Sequence, residues 1–187
     1  MPVMPDDIIP WTIPPHEMPL IIRMARAACI GGSSNIRGDN RMATLSEDQL
    51  VGQIGQYVGS LWLFGSTDSY VQARWIANQN PTVGDGGSDI IGANLDFKAS
   101  RVRNKERDLL SYRLAVRPRE RHTGWVYVLI LVTKLTRGEP VTAQMIGWAA
   151  DAMLPAQPEI SGIFQGAFTL PGHKLNPLPP IHWLWGR

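Results

Sequence analysis

The stretch Gly84-Asp85-Gly86-Gly87-Ser88-Asp89-Ile90-Ile91-Gly92-Ala93-Asn94-Leu95-Asp96-Phe97-Lys98-Ala99-Ser100 puts two acids and a lysine on what reads as a tight β-hairpin. Ile90-Ile91 and Leu95 to Ala99 are short apolar runs, and Gly92-Ala93-Asn94 supplies turn chemistry between them. Side chains two apart on a strand share a face, so Asp96 and Lys98 point the same way. With Ala93-Asn94 as a two-residue loop, Asp89 lies across from Lys98 on that face, and Asp96 is on the adjacent diagonal. An odd-length loop changes the register. Carboxylates and an ammonium on one face are costly to bury without a task. They suit a divalent metal ion and a polarised oxygen; the plain alternative is an exposed hairpin with an ordinary Asp/Lys pair.

Upstream, Met1 to Pro15 is rich in proline and reads as a flexible, extended segment outside the domain. Residues 16–187 read as one domain. Glu17 to Ile30 has helical spacing. Gly31 to Asn40 is a loop. Thr44 to Leu61 is a second helix with the stripe Leu50, Ile54, Tyr57 and Leu61. Thr44-Leu45-Ser46-Glu47 matches a capping box, with Thr44 at the N-cap. Glu47 also falls near the apolar stripe, so it reads equally as a cap and as an acid facing the hairpin. Gln56 falls on the opposite side and Gln53 at the edge. Gly65 suits the C′ position. Tyr70 to Ile76 alternates imperfectly and reads as a first strand.

Downstream, Tyr112 to Arg117 and Trp125 to Lys134 read as strands joined by a turn at Pro118 to Gly124. Trp125 to Val132 is apolar on both faces, which predicts a central strand covered on both sides. Val141 to Ala149 is another strand, Ala150 to Leu154 a short helix or turn, and Phe164 to Leu170 an irregular or edge strand. Ile181 to Trp185 is an aromatic tail that packs on the domain or serves an oligomer contact.

The chain has 187 residues, with 18 Lys and Arg against 16 Asp and Glu, so it lacks the broad basic footprint of a polycation binder. Nucleic-acid contact must then come from local patches. Arg101, Arg103, Lys105 and Arg107 form one, and Arg113, Arg117, Arg119 and Arg121 another; each reads equally as a solvated face. Cys29 is the only cysteine, and the four histidines stand singly, so neither a zinc signature nor a nucleophile triad is present. The longest apolar run is far shorter than the ~20 residues of a membrane span. The proline-rich start lacks the basic region of a signal peptide, and the default is a cytoplasmic protein.

Asp89 followed by Asp96-Phe97-Lys98, after a helix carrying an acid, resembles the PD-(D/E)xK nuclease superfamily. Ser88-Asp89-Ile90 stands where that family has its first-acid strand, and the later Trp125 to Lys134 and Met145-Ile146-Gly147-Trp148 look like later strands of small phage-type and bacterial members. Pro171 to Pro179 looks like the closing tail. The likeness covers most of Thr44 to Pro179 and is weak outside the hairpin. Ser88 replaces a common proline, Asp96 the commoner Glu, and Gly55-Gln56 a common Gly-Glu pair.

The resemblance implies an α/β domain (an α+β mixed sheet) with a restriction-endonuclease-like αβββαβ core and an N-terminal helix. It implies Mg²⁺- or Mn²⁺-dependent hydrolysis of DNA phosphodiesters, on the endo or exo pattern, with DNA as partner, a homodimer as a candidate assembly, and a virus or mobile element as a candidate source. Asp89 and Asp96 would hold the ion with the Phe97 backbone carbonyl, Lys98 would serve the attacking water and the transition state, and Glu47 would add a metal or water contact. Gln53, Gln56 and Asp85 are accessory candidates, Asp85 reading first as an Asp-Gly turn residue. Arg101, Arg103, Lys105 and Arg119 are the candidate DNA contacts. The competing functions are a non-catalytic nucleic-acid-binding or phage assembly protein on the same fold, and a structural αβ domain with a fortuitous Asp-Phe-Lys.

Overall fold

Strand β4 (Val126–Lys134) is the spine of the domain, and its sequence says why. Every residue from Tyr127 to Val132 is fully buried. Val128, Ile130 and Val132 join a core with the helices, while Tyr127, Leu129 and Leu131 join a second core on the other face. The period of two thus divides one apolar run between two layers, as expected for a strand covered on both sides. The computed structural model describes residues 2–30, 42–79, 89–90 and 93–179.

The main sheet has the order β1-β5-β4-β2. β1 (Ile9–Ile13) and β4 each pair antiparallel with β5 (Val141–Ala150), and β2 (Leu95–Arg101) pairs parallel with β4. Helices α1 (Met18–Ile30), α2 (Met42–Phe64) and α3 (Asp68–Gln79) precede β2. Ile21, Ile54, Tyr57 and Val58 of α1 and α2 pack in the core that also holds Phe97 and Ile130. The opposite face is closed by a two-stranded sheet of β3 (Arg113–Val116) and β6 (Phe168–Pro171). The class is therefore mixed α/β with a mixed sheet, as expected.

Several expectations change. The proline-rich start is extended but not outside the domain: residues 9–13 are an edge strand, where Pro10 is tolerated, and Val3 N–H donates to the Leu175 carbonyl. Tyr70 to Ile76, expected as a strand, lies within helix α3; Ser66 Oγ accepts the Asp68 N–H at its start, and Tyr70 and Ala73 share a buried helical face. Thr44 is not the N-cap of α2, because the helix already includes Met42. Gly65 does close it, with φ +59° and its N–H on the Leu61 carbonyl. The turn expected at Pro118 to Gly124 is present, and it joins β3 to β4 across the two sheets. The observed succession also differs from αβββαβ: among the described residues no α-helix follows β2, and the later connections carry only short 3-10 turns. The expected aromatic tail at 181–185 lies outside the described residues.

Candidate acid–lysine site on the edge strand

Among the described residues of the decisive stretch, 95–100 are strand, while 89–90, expected as the hairpin's first strand, are a bend. The local turn signal produces a bend, with Ala93 N–H donating to the Ile90 carbonyl at 3.1 Å. β2 takes its ladder from β4 instead, because alignment with a strand buried on both faces covers Phe97 and Ala99 against α2. Asp89 then sits on the outer edge of β2. Its N–H donates to the Leu95 carbonyl at 3.1 Å, and its carboxylate accepts the Phe97 N–H at 2.6 Å. Asp89 thus caps the edge that β4 leaves open.

Asp89 and Asp96 converge although the expected cross-strand register does not exist. Their carboxyl groups are hydrogen-bonded to one another, and each residue is only 6% exposed. Two carboxylates this close disfavour each other's ionised form, which Lys98 on Asp96 and the Gln56 and Phe97 N–H donors on Asp89 offset. Burial pushes the Asp96 carboxyl above its ordinary value, against the opposing pull of Lys98. Lys98 Nζ lies 2.6 Å from Asp96 Oδ2 and donates to Glu120 Oε2 at 2.9 Å. Burial disfavours its charged form, but Asp96 and Glu120 outweigh that and raise its pKa. Burial likewise works against the Glu120 carboxylate, but Lys98 and Arg117 hold its pKa below the ordinary value.

Glu120 is the site residue that sequence reasoning missed. It lies on the β3–β4 connection, which has no periodicity to mark a face. Its position is fixed by Tyr127, whose hydroxyl accepts the His122 N–H at 2.7 Å and donates to the Glu120 carbonyl at 3.0 Å. Tyr127 stands opposite Asp96 in the β2–β4 ladder. The strand that aligns the acid therefore also holds the turn that brings Glu120.

Glu47 does not join the site. It accepts from Arg101 at the other end of β2. Nine residues of helix, or ~13 Å, separate it from the site's level on α2. That level is marked by Gln56, whose Nε2 donates to Asp89 Oδ1. Gln56 was expected to face away. It does not, because α2 contacts α1, α3, β2 and β4 and is buried on several sides. Gln53 is buried beside it, donating to Gln56 Oε1 at 3.3 Å and accepting from Tyr70 at 2.9 Å. Asp85 lies outside the described residues.

The basic patches separate. Arg113 and Arg121 serve internal pairs with Glu159 and Asp151, so the second patch is largely structural. Arg119 is exposed beside Glu120. Arg101, Arg103 and Lys105 line a cleft past the end of β2.

The donor chemistry fits a hard divalent cation. Mg²⁺ takes one or two carboxylates and keeps several waters. Asp89 and Asp96 are such a pair, and a cation between them would relieve their mutual repulsion. The Phe97 carbonyl projects to the same edge as its N–H, where Asp89 sits. Among the described residues, no three His, Cys, Asp or Glu side chains gather as a ready metal cluster. No protein-family model, curated protein or solved structure matches the chain.

Proposed function

We propose that this protein is a Mg²⁺- or Mn²⁺-dependent nuclease of the PD-(D/E)xK type acting on DNA. The observation that supports it is the meeting of the Asp89 and Asp96 carboxyls at the edge of β2, with Lys98 on the same strand face. On this reading α2, β2 and β4 are the restriction-endonuclease-like part of the fold, and the helix expected between later strands is dispensed with. Asp89, Asp96 and the Phe97 carbonyl would hold the ion, whose chemistry when bound is to neutralise phosphate charge and acidify water. Lys98 is kept protonated by its two carboxylate neighbours, so its role is electrostatic: it stabilises negative charge developing on the phosphoryl group rather than removing a proton. Gln56 and the Phe97 N–H hold Asp89 in place.

The test is cleavage of plasmid, branched and single-stranded DNA with Mg²⁺, with Mn²⁺ and with chelator, using the wild type, Asp96→Ala and Lys98→Ala. Metal-dependent cleavage lost in both variants is expected. Cleavage that persists unchanged in either variant overturns the site.

One observation favours a second reading. Lys98 bridges Asp96 and Glu120, which ties β2 to the β3–β4 connection. A non-catalytic nucleic-acid-binding or assembly protein would use that bridge as a structural clasp. No cleavage under any metal condition, with DNA binding retained, would select it.

A further inference from the structure

The loop leaving β2 and the turn leaving β4 meet over a cleft of about 410 Å³, within the size range of small-ligand sites. It lies at the carboxyl ends of the sheet's parallel pair, where α/β sheets commonly bind ligands. Its wall carries Arg101, Arg103, Lys105 and Lys134 against one carboxylate, Glu47. Arg101 is matched by Glu47, and Lys134 by Glu139 outside the cleft at 2.8 Å. Arg103 and Lys105 are exposed and enter no ion pair among the described residues. Val102 N–H donates to the Val132 carbonyl at 2.9 Å, which holds the first residue after β2 against β4. Apolar lining is limited to Val102 and Leu135, which argues against an acyl or aromatic ligand and for a polar anion.

We propose that this cleft is a phosphodiester-binding subsite for a nucleic-acid strand whose scissile bond lies at the Asp89–Asp96 pair. Five strand residues separate Asp96 from Arg101, or ~16 Å at ~3.3 Å each. At a rise of ~3.4 Å per nucleotide, one strand with a phosphate in the cleft reaches the acid pair about five nucleotides away. An isolated phosphate or nucleotide cannot span that separation. The position of the scissile bond rests on the nuclease reading; the binding of phosphate in the cleft does not.

The two are separated by measuring binding in chelator, where no cleavage occurs. Fluorescence anisotropy with a labelled DNA strand of about twenty nucleotides should show wild-type binding that weakens with salt. Arg103→Ala/Lys105→Ala should bind about tenfold more weakly or worse, with a salt slope lower by about one for each phosphate that is no longer neutralised. Lys174→Ala, an exposed charge removed on the turn after β6, should bind as the wild type does. Equal affinity and slope in the double variant overturn the subsite. Displacement of the DNA by polyglutamate at equal charge concentration overturns its assignment to nucleic acid. Binding that behaves as expected without cleavage in Mg²⁺ or Mn²⁺ removes the nuclease reading alone. Where cleavage is seen, strands trimmed to fewer than about five nucleotides on the cleft side should lose the difference in kcat/KM between wild type and double variant.

Discussion

The Gln56 amide donates to the Asp89 carboxylate, and a carboxylate that only accepts orders a chain of side chains running back to Tyr70. Tyr70 O–H donates to Gln53 Oε1, Gln53 Nε2 donates to Gln56 Oε1, and Gln56 Nε2 donates to Asp89. Each amide has one donor end and one acceptor end, so the Asp89 carboxylate sets the direction of both and the Tyr70 hydroxyl supplies the donor that the Gln53 oxygen needs. Tyr70→Phe removes it and leaves the buried Gln53 oxygen without that donor. The expected cost is about 1–3 kcal/mol, and Tm should fall by roughly 2–4 °C for each kcal/mol. Thermal melts read this directly, and an unchanged Tm would mean that the three side chains do not act as a unit.

Gln56 also tests the metal. Gln56→Glu puts a third carboxyl beside the buried Asp89–Asp96 pair, which like-charge repulsion disfavours. In chelator at neutral pH the variant should melt below the wild type. Excess Mn²⁺ should then raise the variant's Tm more than the wild type's, since a ligand bound only by the folded state stabilises it by mass action. Melts that ignore Mn²⁺ in both proteins would show that the acid pair is not a cation site.

Lys98→Met leaves the buried Asp96 and the half-buried Glu120 without their common cation. Removing one partner of a buried pair costs ~3–5 kcal/mol, and the lower end applies because the Lys98 side chain keeps 19% exposure. Adding Asp96→Asn and Glu120→Gln to Lys98→Met should recover much of the loss, because no buried charge is then left alone. Urea unfolding of the set measures it. A triple variant no more stable than Lys98→Met would mean that packing of the lysine stem, not charge, carries the effect.

The Lys98–Glu120 bridge gives a signed pH dependence. The Glu120 carboxyl is held below its ordinary 4.5, so the stability it contributes is present above pH 4.5 and is lost as pH falls through the lower folded value. Lys98 is held above its ordinary 10.5, so its contribution is complete below pH 10.5 and lost as pH rises through the higher folded value. Glu120→Gln should therefore flatten the acid limb of a stability profile below pH 4.5 and shift the alkaline limb to lower pH. An acid limb identical to the wild type's would remove Glu120 from the bridge.

What could be read in the chain depended on whether local pattern and long-range pairing agreed. Val126 to Lys134 declared a doubly covered strand because apolarity on both faces has few other solutions. Asp89, Asp96 and Lys98 were found as a set through their residue types, yet the hairpin drawn to unite them was wrong. Their convergence comes from β2 pairing with a strand thirty residues later and from Asp89 capping the open edge, neither of which leaves a period in the sequence. Gln56 meets the site although the stripe points it away, and Glu47 faces β2 as its stripe implies but at the far end of the strand. A helix packed against α1, α3, β2 and β4 has no single inward face, so the Leu50/Ile54 stripe does not decide which polar residue meets the strand. Glu120 had no local signal, since its place depends on the Tyr127 hydroxyl holding an aperiodic turn.

The glycines of α2 carry a prediction with an internal control. A Cβ on Gly55 would lie 2.6 Å from Ala99 Cβ, and one on Gly59 would enter the Phe97 ring, whereas Gly52 has nothing within 4 Å. Alanine in place of glycine inside a helix ordinarily gains up to ~1 kcal/mol, and Gly52→Ala should show that gain. At Gly59 the overlap costs about 1–3 kcal/mol, so the helix gain is cancelled or exceeded. The backbone of Phe97 is also the donor that fixes Asp89, so a strand pushed off α2 carries the acid pair with it. Gly59→Ala should thus lower both stability and any metal-dependent activity, and a smaller ring position, Phe97→Leu, should restore part of the stability in its background. Urea midpoints for the three alanine variants settle the order. Gly59→Ala as stable as Gly52→Ala would mean that the ring swings aside freely, and that the close approach of α2 to β2 does not hold the site.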